Sequence, residues 1–100
     1  MKTETIELGG KKLMMTTAPA TVGFEVVMRL RSAYSANSAI EIRDCVFMLL
    51  KYCELDLGDG RTIKLDNAEI INQHLSIEDI MDLQDRIIRF NFGFLMKGDH

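Results

Sequence analysis

A mainly α fold with a small N-terminal β-hairpin, α+β in class, is predicted by three observations. Short alternating runs, Thr5 to Leu8 and Lys11 to Thr16, flank Gly9-Gly10, and a two-glycine connection between extended runs is a hairpin signal because both turn positions need positive φ. Three later stretches carry apolar residues at helical spacing. Serines stand where the second and last of these begin, Ser38 with Glu41 and Ser76 with Glu78 and Asp79. The expected architecture is about four helices around a buried central helix at 39–57. The 100 residues are read as one domain, with 1–17 the hairpin and 18–97 the helical part.

In the hairpin, Ile6, Leu8, Leu13 and Met15 form the apolar side. A lone hairpin is marginal in water, so this one must pack on something or pair with another strand, and its free edge is a possible docking site. Pro19, the only proline, falls where a first helical turn tolerates it. Thr17 or Ala18 would be the N-cap, and the helix would run to about Tyr34 with Val22, Val26, Val27, Leu30, Ala33 and Tyr34 as its stripe.

Ser38 and Glu41 form a Ser-x-x-Glu capping box, which satisfies two free N–H groups at a helix start. From Ile40 to Leu57 the chain is apolar on most helical faces: Ile42, Val46, Leu49, Leu50 and Cys53 on one side, Phe47 and Met48 on the other. Such a helix is usually central. Gly58-Asp59-Gly60 would end it, and Arg61 to Leu65 would be at most a brief strand. Asp66 with Glu69 resembles a cap-and-N3 pair opening a short helix to about Leu75. Ser76 would cap the last helix, in which Ile77, Ile80, Met81, Ile87 and Ile88 follow helical spacing and Leu83, Phe90 and Phe94 form a neighbouring stripe. Glu78 and Asp79 in its first turn complement the helix dipole.

Chemistry is sparse. Cys45 and Cys53, eight apart on what reads as one helix, have backbones about 12 Å from each other, too far for a disulfide. They read as buried core residues suited to a reducing cytoplasm. His74 and His100 are the only histidines, and no nucleophile or acid stands near either at recognisable spacing. Asp56-Leu57-Gly58-Asp59-Gly60-Arg61 faintly resembles a calcium loop, yet lacks the alternating oxygen ligands and the distal glutamate, so a turn is the better reading. No cofactor, metal or catalytic residue is expected.

A net charge of −3 does not suit nucleic acid, which asks for a basic face. Residues 52–100 hold ten acidic and five basic groups, a candidate acidic surface or simply solvated helix faces. No run reaches the roughly 20 apolar residues of a membrane helix, and Met1 to Thr5 lacks a signal peptide's apolar segment. The remaining feature is the C-terminal run Phe90, Phe92, Phe94, Leu95 and Met96. Phe90 and Phe94 would share a helical face while Phe92 points elsewhere, and Gly93 weakens the helix there. Either most of these rings cap the core, or this end is exposed and binds another protein or a second copy. Those five residues are the candidate partner-binding set. Seven methionines suit an adaptable binding surface.

Leu8-Gly9-Gly10-Lys11, followed by Thr16-Thr17-Ala18-Pro19-Ala20-Thr21-Val22-Gly23-Phe24, resembles the small tail assembly chaperones of long-tailed bacteriophages. Several of these open with a short β element and a Thr-x-x-Pro-Ala-type entry into a helical domain. The match covers about the first quarter of the chain. The resemblance implies a small, mostly helical, non-enzymatic protein that binds the aggregation-prone tape measure protein during virion assembly, with the tail tube protein as a second candidate partner. It would act in the bacterial host cytoplasm, with a homo-oligomer as a candidate form, and be missing from the mature virion. In that family a frameshifted longer form is common, and there are no catalytic residues to carry over. A structural phage component, such as a head–tail joining or tail-terminator subunit, is the alternative; a small enzyme is a third class.

Overall fold

A computed structural model describes the backbone of residues 1–96 and the side chains of residues 1–95. Four helices pack against a four-stranded antiparallel sheet of order β1-β2-β3-β4. The strands are β1 (Thr3–Leu8), β2 (Lys11–Thr16), β3 (Cys53–Asp56) and β4 (Thr62–Lys64); the helices are α1 (Ala20–Ser35), α2 (Ala39–Leu50), α3 (Ala68–His74) and α4 (Ile77–Met96).

The hairpin forms as expected. Gly9 and Gly10, at φ 56° and 81°, make the two-residue turn whose twist matches the strands it joins. Strand alternation puts Ile6, Leu8, Leu13 and Met15 on the inner face, with Ile6 opposite Leu13, and leaves Thr5, Glu7 and Lys12 on the other.

The helix expected over 39–57 ends at Leu50, and the stretch after residue 17 is not wholly helical. Cys53 to Asp56 forms a central strand instead, pairing with β2 on one side and β4 on the other. Cys53 also continues the apolar spacing of α2, so the local pattern fits both periods. The hairpin's need for a neighbour settles the conflict: Leu55 opposite Leu13 and Cys53 opposite Met15 extend the buried inner face, while Glu54 and Asp56 turn away. Nor is α2 buried all round. Cys45, Val46, Leu49 and Leu50 are buried, Phe47 and Met48 half-buried, and Ile40 is exposed. Cys45 and Cys53 are free and buried as expected, but they stand on a helix and a strand. Gly58 and Gly60, both at positive φ, shape the β3–β4 connection rather than stopping a helix.

Helix ends follow side-chain chemistry with small shifts. Helix α1 stops in a Schellman arrangement, with Ser38 N–H donating to Ala33 O (2.8 Å) and Asn37 N–H to Tyr34 O (3.2 Å); Asn37 takes the left-handed φ of 54° that this cap requires. Its start differs from expectation, since Pro19 itself is the N-cap and no side chain caps it. At α2, half of the expected box is present. Glu41 N–H donates to Ser38 Oγ (3.3 Å), but the Glu41 carboxylate turns to Arg29 Nη2 (3.2 Å). Ser38→Ala should therefore cost about 1 kcal/mol, the value of a single cap bond, and leave the Arg29–Glu41 pair intact; urea unfolding checks this. Helix α3 is capped by Asn67, which accepts from Ile70 N–H at 3.0 Å, one residue past the expected Asp66. Asp66 accepts the Asn67 amide instead.

Ser76 opens α4 with the complete reciprocal box. Asp79 N–H donates to Ser76 Oγ (3.1 Å), and Ser76 N–H donates to Asp79 Oδ2 (3.0 Å). Asp79 is only 7% exposed and also receives Lys11 Nζ at 3.1 Å. Arg86 Nη1 donates to Glu7 O at 2.8 Å. The hairpin tip is thus fastened to the first turns of α4 by polar bonds from β1 and β2, over the apolar core.

Candidate functional site

The C-terminal rings divide between core and surface. Phe90 and Phe92 are each 7% exposed, whereas Phe94 is 69% and Leu95 46% exposed. The Met96 side chain lies outside the described residues, as does His100. Phe90 and Phe94 therefore do not share a face, and Phe92 points inward. The cause is a break in α4 at Phe92, whose φ of −127° and ψ of 18° are not helical. Two local features accompany it. Asn91 Nδ2 donates to Ile87 O at 3.0 Å, competing for a helical acceptor four residues back, and Gly93 follows with its low helix propensity. Asn91 Oδ1 meanwhile accepts Ala18 N–H at 2.9 Å. The same residue thus loosens α4 and anchors the entry to α1 beside it.

This arrangement leaves a groove between α1 and the broken end of α4. It consists of two adjoining hollows of about 280 and 220 Å³. Val27 and Phe92 line both. Gly23, Phe24 and Phe94 shape one end, and Arg31, Tyr34 and Leu95 the other. Phe24, 68% exposed, and Tyr34, 57% exposed, add apolar surface the size of a small binding patch. Phe24 was legible in principle. It sits two residues from both Val22 and Val26, roughly 200° around the helix from the buried stripe. Tyr34, placed on that stripe by spacing, instead turns outward at its edge.

Among the described residues, Arg31 is the one charged side chain lining the groove. Arg29 holds Glu41 at 3.2 Å and Arg89 faces Asp85 at 3.6 Å. Lys2 Nζ lies 4.9 Å from the centre of the Phe90 ring, a cation–π contact.

Elsewhere, side chains with reactive potential are structurally engaged. Burial pushes the Cys53 thiol up to about 12 and also raises Cys45, which keeps both as unreactive thiols. Asp56 Oδ1 accepts Gly58 N–H at 2.8 Å, and Asp59 accepts both the backbone and side chain of Arg61; these are turn-forming bonds. His74 closes α3, half-buried, where its basic group faces the helix C-terminus. Among the described residues, no group of three His, Cys, Asp or Glu side chains is placed to hold a metal ion. No helix in that range is long and apolar enough to cross a membrane. Comparison with protein-family models gives no match, and neither do searches of curated proteins and solved structures.

Proposed function

We propose that this chain is a non-enzymatic assembly chaperone of a phage tail, binding the tape measure protein in the host cytoplasm until tube subunits enclose it. The observation that carries this reading is the apolar groove between α1 and the end of α4, with Phe24, Phe94 and Leu95 held outward. The resemblance of Leu8 to Lys11 and Thr16 to Phe24 to tail assembly chaperones supports it. A groove of this kind suits reversible burial of apolar client surface, because its rings stand on helical segments that keep their own backbone groups paired.

Co-expression with the tape measure protein of the same genome is expected to yield a soluble complex. Phe94→Asp should reduce its recovery several-fold, yet leave the chain's own melting temperature within a few degrees, since this ring is mostly in water already. A tape measure protein that stays equally insoluble with and without the chain would sink the proposal.

A further inference from the structure

We infer that the groove takes an amphipathic helix of another protein whose apolar stripe is flanked by acidic residues, with Arg31 selecting the acid. This rests on the groove being the client site proposed above, and it specifies the client's local chemistry.

The groove offers a bound backbone almost nothing. Its lining is apolar apart from Thr17, Asn91, Arg31 and the Tyr34 hydroxyl, and the Asn91 amide is already used by Ala18 and Ile87. An extended segment buried there would leave its own N–H and C=O groups unpaired at considerable cost. A helix satisfies them internally. The floor also favours a helix. Ala20, Gly23 and Val27 stand at helical spacing along α1 and carry no long side chain into the groove. From Ala20 to Tyr34 the wall is about 21 Å long, enough for roughly four turns of a partner.

Charge then sets the flanks. Arg31 is exposed and, among the described residues, has no ion-pair partner. The other end is the start of α1, whose first turn has neither an acidic residue nor a side-chain cap, so that end is positive too. Among the described residues, the groove lining thus carries one cationic side chain and no acidic one, in a chain whose net charge is −3. A lysine-flanked helix would meet repulsion from the rim and an acidic one attraction, which is where charge acts on choice more than on affinity.

The test uses the full chain and two fluorescent model peptides of about 16 residues, sharing one leucine stripe. One stripe is flanked by glutamates and the other by lysines. The glutamate peptide should bind about three- to tenfold more tightly at low salt, with the gap shrinking as salt screens the rim. Arg31→Glu should reverse the preference, and Phe94→Ala should weaken both peptides without altering it. Equal binding of the two peptides, no binding of either, or indifference to Arg31→Glu would overturn the inference. So would a chain that is oligomeric in light scattering, is dispersed by Phe24→Asp and ignores the peptides, because the occupant would then be a second copy. The underlying reading fails separately: a tape measure protein rescued equally by wild type and Arg31→Glu leaves the chaperone standing without this charge rule. Peptides that behave as expected beside an unrescued tape measure protein do the reverse.

Discussion

Phe92→Ala is expected to destabilise the chain by about 3–5 kcal/mol, the usual cost of removing a buried ring, and to lower Tm by roughly 15–30 °C for a domain of this size. Phe94→Ala, two residues on, should cost under about 0.5 kcal/mol. The contrast follows from the break in α4. In an unbroken helix Phe90 and Phe94 would share a face, four residues apart. The non-helical backbone at Phe92 keeps Phe90 and Phe92 inside and swings Phe94 and Leu95 out. Phe92 also forms the floor common to both hollows of the groove. Its loss should therefore weaken client binding as well as folding, whereas Phe94→Ala should weaken binding alone. Thermal and urea unfolding of the two variants, read beside peptide titrations, checks both halves. Equal stability losses at 92 and 94 would mean that the helix is not broken as described.

The hairpin, the first helix and the Ser76 cap were legible because each depends on bonds within a few residues. Gly9-Gly10 demands a particular turn, and Ser76 reaches an N–H three residues on. Cys53 to Leu57 was not legible, because its spacing suits α2 as well as a strand. Only the long-range pairing with Leu13 and Met15 decides between them, as tertiary context often does for short apolar runs. At the candidate site, the composition of the C-terminal run drew attention to a segment that the structure divides between core and surface. It could not separate Phe92 from Phe94, since that division rests on a backbone break to which Asn91 contributes through a bond to Ala18, 73 residues away. Spacing along α1 places Phe24 away from the buried stripe, but neither it nor Arg31 signals a binding surface by itself. They become a rim and a wall only once α4 lies beside α1.

Asp79→Ala should cost roughly 2 kcal/mol, combining a Ser76 N–H left without its acceptor and a lost ion pair. Asp79 looked like an ordinary first-turn acid, yet it joins the start of α4 to the hairpin tip through Ser76 and Lys11. Gly9 is adapted to it: a Cβ there would run into the Asp79 carboxylate, and the φ of 56° already disfavours a side chain. The Ser76 N–H above all, and then Lys11, holds the Asp79 carboxyl below its ordinary value. On lowering the pH, the unfolded chain takes up this proton first, near pH 4. The contribution of Asp79 is therefore complete above about pH 4 and disappears as pH falls through its native value. Wild type should be more stable than Asp79→Asn at neutral pH, and the gap should close in acid. Lys11→Met, which keeps the helix cap, should lose a smaller part of the same gap because the Lys11 side chain is 34% exposed. Since the hairpin tip does not line the groove, Asp79→Asn should leave peptide affinity at pH 7 unchanged while the variant remains folded. A gap that persists undiminished below pH 3 would show that Asp79 stabilises the fold by packing rather than by its charge.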